Sequence, residues 1–198
     1  VRQLCLVNGV PGVGKTSLCY RLLQDASAAY THISFGQLIL RVLRESAPDI
    51  DEKALRQSTT ALVTQEVLDR ATAILAQEVR AQAADDGWIL LDSHAVSQDW
   101  FGYLASPDGM RYFEQLQYGA IVHLYASSEA VLRRSDTNAS GRQARVPSDL
   151  ETHSQLLNCV SILYSSLSKC PAYFVEASGS VAETATKVDK ILRPRLQQ

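Results

Sequence analysis

The stretch Gly9-Val10-Pro11-Gly12-Val13-Gly14-Lys15-Thr16 fits the pattern G-x-x-x-x-G-K-[ST] in full, and it constrains this chain more than any other feature. Such a loop needs an apolar strand before it and a helix after it. Both flanks are present. Leu4-Cys5-Leu6-Val7 is a short apolar run closing on the turn pair Asn8-Gly9, and Thr16 to Leu23 sets Leu18, Leu22 and Leu23 on one helical face. The glycines let the backbone curl so that successive N–H groups point inward at phosphate oxygens, and the helix adds the positive end of its dipole. Lys15 is expected to reach the β- and γ-phosphates of ATP and the Thr16 hydroxyl to ligate Mg²⁺, with Gly9 through Ser17 forming the nucleotide cradle. A glycine-rich turn that binds nothing would not need Lys15 and Thr16 together.

The rest of the chain alternates between strand-like and helix-like segments. Thr31 to Ser34, Trp88 to Asp92, Ala120 to Tyr125 and Ala172 to Val175 read as four further strands. Between Asp51 and about Asp85 the sequence is rich in Ala, Leu, Gln, Glu and Arg, without Pro or Gly. That predicts helix, broken near Ser58-Thr59-Thr60. Helices are also expected at about 37–45, 128–135, 149–168 and 180–192. Continuous apolar strands separated by helices imply a parallel sheet covered on both faces. The expected architecture is a three-layer α/β domain with a five-stranded, mostly parallel sheet. With 198 residues, one domain is the natural reading. An acceptor-binding helical region is expected at about 35–86, and the polar stretch at about 136–148 reads as a short mobile lid.

Phosphoryl chemistry needs a carboxylate near the metal, and Asp92 fits because it ends the apolar run Trp88-Ile89-Leu90-Leu91. His94, two residues on, either touches the acceptor or orders its loop. His32, His123 and His153 read as structural or solvated. Arginine suits charge developing on a phosphoryl group in flight, because its fork is planar and always charged. Arg133 and Arg142 are assigned to that task, whereas Arg134 and Arg145 have helix-capping and solubility readings at least as good. Gly36, Arg41 and Arg56 lie in the acceptor region, with Arg44 nearby.

The ordered set Gly9–Thr16, Ile33-Ser34-Phe35-Gly36, Leu91-Asp92-Ser93-His94, Gly102-Tyr103-Leu104, Ser127-Ser128-Glu129 through Arg133-Arg134, and Ser148-Asp149-Leu150 with His153 resembles the archaeal-type adenylate kinases. The resemblance runs over nearly the whole chain and is weak between residues 57 and 87. It implies a P-loop nucleoside monophosphate kinase fold and transfer of a phosphoryl group from MgATP to a nucleoside monophosphate, AMP first. It also implies that Asp92 is the metal-side carboxylate, Arg56 an acceptor-side arginine and Arg142 a lid arginine. Self-association as a homo-oligomer follows from the same resemblance. The chain departs from the pattern at Ser140, where another arginine is usual. Arg41 also falls one residue later than the AMP-binding arginine of the commoner bacterial enzymes.

Two other readings stand beside this one. A kinase acting on an alcohol of a metabolite or nucleoside would use Asp92 or His94 near the acceptor hydroxyl. A nucleotide-binding switch would show a partner-binding tail or long insert, and neither is visible. A guanine-specific GTPase lacks its Asn-Lys-x-Asp motif here. The 19 Lys+Arg nearly balance 21 Asp+Glu, so no global attraction to nucleic acid or to an anionic membrane is implied. Four scattered cysteines, Cys5, Cys19, Cys159 and Cys170, form no metal or disulfide pattern. The Leu4–Val7 stretch is too short for a signal or a membrane span, so a cytoplasmic protein acting on small molecules is expected. The chain begins with Val, which leaves open an upstream start or an alternative start codon.

Overall fold

A computed structural model of the chain describes residues 3–25, 29–57, 59–82, 86–93, 95–99, 102–105, 116–137 and 146–193. Five parallel strands form the central sheet: β1 (Gln3–Asn8), β2 (Tyr30–Ser34), β3 (Trp88–Asp92), β6 (Tyr118–Tyr125) and β7 (Ala172–Glu176). Their order is β2-β3-β1-β6-β7. Cys5, Leu90, Ile121 and their neighbours are fully buried, as expected for strands covered on both faces.

The helices are α1 (Lys15–Asp25), α2 (Phe35–Arg44), α3 (Glu52–Gln57), α4 (Thr59–Leu62), α5 (Gln65–Gln82), α6 (Ser128–Thr137), α7 (Pro147–Ser168) and α8 (Val181–Leu192). On one face α1 packs against α8, and Trp88 of β3 donates its indole N–H to the Leu192 carbonyl at 3.0 Å. α7 lies across β6 and β7 on the opposite face. Two local signals set the last helices. Pro147 occupies the first turn of α7, and Ser180 with Glu183 closes a capping box on α8. α2 and α5 pack together and leave a small second core of Leu40, Leu43 and Leu55.

The three-layer α/β architecture expected from the sequence is the one observed. The long helical stretch divides into α3, α4 and α5, with the separation between α4 and α5 falling at residues 63–64. One feature is additional: β4 (Val96–Asp99) and β5 (Gly102–Ala105) pair antiparallel just beyond Asp92. This hairpin is pinned to α7, where the Tyr103 hydroxyl donates to the Asp149 carbonyl at 2.9 Å. His153 Nε2 lies 2.8 Å from the Val96 carbonyl. Among the described residues no helix is long and apolar enough to cross a membrane.

Candidate active site

Strand order places the site. The chain leaves β1 for β2 and β3 on one side and returns to β6 and β7 on the other, so the carboxyl end of β1 is where the connections diverge. Ligands of open α/β sheets bind there. The loop from Gly9 to Gly14 turns out of that end. Gly9 has φ +146°, and a Cβ there would stand 2.5 Å from the Leu124 carbonyl oxygen. Gly12 and Gly14, at φ +94° and +111°, also hold conformations that L side chains rarely adopt. Val10 and Val13 are buried and root the loop in the core. Lys15, 8% exposed, donates from Nζ to the carbonyls of Gly9 and Val10 at 2.8 and 3.3 Å. Thr16 and Ser17 lie exposed on the first turn of α1, which carries no acidic residue.

Asp92 reaches the same place from β3. Parallel register sets it beside Val7 of β1 and Ser34 of β2. It is 7% exposed and accepts a hydrogen bond at Oδ2 from Thr16 Oγ1. Two oxygen donors from separate elements therefore converge on one point, the ligand type a small hard cation takes. Among the described residues there is no cluster of three or more His, Cys, Asp or Glu that could hold a metal ion. Thr16 and Asp92 thus fit Mg²⁺ held mainly by phosphate and water, with the protein supplying one or two oxygens.

His32 lies behind Asp92, its Nε2 4.0 Å from Oδ2, with the Tyr20 ring edge-on at 5.3 Å. Burial pushes the imidazole pKa down, and the Asp92 charge only partly offsets it. A second histidine stands on the other face of the sheet. His123 of β6 is fully buried, its Nδ1 3.2 Å from Ser161 Oγ, and Ser161 accepts from Asn8 Nδ2 at 2.9 Å. Burial, with the positive charge of Lys15 second, lowers the His123 pKa to about 4. Both histidines were expected to be structural or solvated. They are buried and flank the loop and its carboxylate, a placement that no spacing rule applied to isolated histidines could give.

The arginines divide differently from expectation. Arg134 enters the site region: its guanidinium donates to Val13 in the phosphate loop at 3.0 Å. It also donates to Ala177 and Gly179 beyond β7 at 2.6 and 3.2 Å. Arg133 is exposed and pairs with Glu129 at 2.7 Å, so a role on a phosphoryl group would require that pair to open. Arg41 pairs with Glu78 at 3.3 Å on the α2–α5 surface, and Arg44 donates to the Ile50 carbonyl. Gly36 sits in the first turn of α2, two residues after Ser34. Arg56 lies in α3, its side chain outside what the structure describes. His94, Ser140, Arg142 and Arg145 lie outside the described residues.

Solved structures with this fold span nearly the whole chain. A sugar kinase from Janibacter sp. HTCC2649 is 13% identical with a TM-score of 0.57, covering 99% of this chain and 98% of its own. A gluconokinase from Sinorhizobium meliloti 1021 is 14% identical with a TM-score of 0.53, covering 98% and 97%. The tunicamycin resistance protein of Deinococcus radiodurans is 14% identical with a TM-score of 0.61, covering 96% and 95%. Among curated proteins, none matches significantly. The family model described as "AAA domain" matches residues 8–151, from the last residue of β1 to the first turns of α7. With its phosphate loop, its Thr16–Asp92 pair and a parallel sheet in the order β2-β3-β1-β6-β7, the chain belongs to this P-loop family.

Proposed function

We propose that this chain is an ATP-dependent phosphotransferase whose acceptor is a nucleoside monophosphate, AMP foremost. One juxtaposition carries the reading. In the strand order β2-β3-β1, Asp92 ends the middle strand, and a helix follows each neighbour. α1 starts after the β1 loop, and α2 starts after Ser34 of β2. Two strand spacings, about 10 Å, separate the ends of β1 and β2 that lead into these helices. That distance leaves room for a donor phosphate chain on one and an acceptor phosphate on the other. Neither first turn carries an acidic residue, and the Ser34 side chain makes no capping bond. Both helix ends thus present positive dipole to anions without a competing side-chain charge.

In this reading Lys15 and the loop amides hold the β- and γ-phosphates of ATP, while Thr16 and Asp92 hold Mg²⁺. When bound, Mg²⁺ supplies charge neutralisation on the phosphate oxygens. An oxygen of the acceptor phosphate attacks the γ-phosphorus, the bond to the β-phosphate oxygen breaks, and two nucleoside diphosphates leave. The chain's work is positioning and electrostatics. The test is ADP release with MgATP against each nucleoside monophosphate, then against nucleosides, sugars and small alcohols. Turnover dependent on AMP supports the reading. ADP release indifferent to any acceptor overturns it in favour of a nucleotide-binding switch.

A second reading, an alcohol acceptor, is favoured by the neutral His32 beside Asp92 and by the sugar kinase and gluconokinase among the similar structures. Turnover with a hydroxyl compound alone would select it.

A further inference from the structure

We propose that Asn8, the last residue of β1, is a positioning residue that fixes the spacing between the phosphate loop and Asp92. The inference rests on the phosphotransferase reading above and adds a residue to its machinery. Asn8 is fully buried among the apolar side chains of β1. A carboxamide in that setting costs more than an aliphatic side chain unless its polar atoms are bonded. Both ends are bonded. Oδ1 accepts from the backbone N–H of Ala95 at 3.3 Å, and Nδ2 donates to Ser161 Oγ at 2.9 Å. The Ala95 N–H can only donate, which fixes the orientation of the amide.

Those bonds join three segments. Asn8 directly precedes Gly9, so its backbone is the root of the phosphate loop. Ala95 stands three residues beyond Asp92, and Ser93 in between donates its N–H to the Val7 carbonyl at 3.3 Å. The last two residues of β1 therefore grip the chain leaving Asp92 at two points, one through backbone and one through the Asn8 side chain. Ser161, fully buried on α7 and bonded to His123 of β6, anchors the far end of the amide. Thr16 follows the loop that Asn8 roots, Asp92 precedes the gripped segment, and the two side chains are hydrogen-bonded. Their approach is set by how rigidly the loop root and the segment after Asp92 are held together.

An isosteric variant, Asn8→Leu, keeps the packing and removes both bonds. The expected result is a folded protein whose kcat falls roughly 10- to 100-fold, as misplacement by a fraction of an ångström costs. A merely structural role is separated by Trp88→Phe, which deletes the buried bond to Leu192 at the other end of β3 and is expected to lower stability while leaving kcat unchanged. A second readout does not need turnover. Binding of a fluorescent ATP analogue is titrated with and without Mg²⁺. Asn8→Leu is expected to lose most of the Mg²⁺-dependent gain in affinity while its Mg²⁺-free affinity stays near wild type. Wild-type affinity gain in Asn8→Leu overturns the proposal, whatever the acceptor. Absence of transfer in the wild type overturns only the phosphotransferase reading, because the binding arm still decides the role of Asn8.

Discussion

Lys15 spends its ammonium on two carbonyls of its own loop, those of Gly9 and Val10. Phosphate oxygens compete for the same charge, so its removal should cost function far more than fold. Lys15→Ala is expected to lower phosphoryl transfer by about 100-fold or more, the scale of deleting one preorganised donor. Each carbonyl bond is worth only about 1 kcal/mol net. The two bonds together should accordingly lower the melting temperature by roughly 4–8 °C. Normal turnover in that variant would remove Lys15 from the site. Gly9 is the opposite case. At φ +146° and with a backbone oxygen 2.5 Å from where its Cβ would stand, Gly9→Ala has nowhere to relax without moving β6. A cost of roughly 1–3 kcal/mol in stability is expected, together with lost ATP binding. An ATP affinity and melting temperature equal to wild type would mean the loop root tolerates what its geometry forbids.

Elements were legible where their residues announce themselves locally. The phosphate loop needs particular residue types at fixed spacing, so Gly9 through Thr16 is readable as such a loop, between β1 and α1, from sequence alone. Asp92 followed because an apolar run ending in a carboxylate is what a buried strand beside the loop looks like. The β4–β5 hairpin was missed because Val96-Ser97-Gln98-Asp99 carries too little apolar alternation. It is held by contacts from distant residues, Asp149 and His153 on α7 among them. Arg133 and Arg134 are adjacent and alike in sequence. Only helix phase on α6 decides that one pairs with Glu129 while the other reaches Val13. α2 carries its own prediction. Among the described residues, a Cβ at Gly36 would have only Ser34 Oγ within 4 Å, at 3.9 Å, so Gly36→Asp fits sterically. An acid in a first turn stabilises a helix, so the melting temperature should hold or rise. The same charge repels an acceptor phosphate by about 1 kcal/mol, raising the KM for AMP roughly fivefold with little change for ATP. An unchanged KM for AMP would take the acceptor phosphate away from the start of α2.

At the scale of the whole molecule, the buried polar groups around the loop couple stability to pH. His123 is neutral when folded, its pKa lowered to about 4 by burial and by the nearby Lys15 charge, against an ordinary value of 6.5. The unfolded chain therefore takes up a proton below about pH 6.5, while the folded chain refuses it until about pH 4. Stability contributed by this site is complete above pH 6.5 and is lost as pH falls toward the folded value. Between pH 7.5 and pH 5 the loss amounts to about 2 kcal/mol at 1.36 kcal/mol per unit. His32 is shifted in the same direction by its own burial, and it adds to the acid sensitivity. Urea unfolding at the two pH values measures the sum for the wild type. In His123→Asn the side chain cannot titrate, so whatever the variant loses at pH 7.5 it should lose less further at pH 5. The difference between the two drops isolates His123 from His32. Equal drops in variant and wild type would mean that His123 titrates in the folded protein as it does in the unfolded chain, so that burial does not hold it neutral.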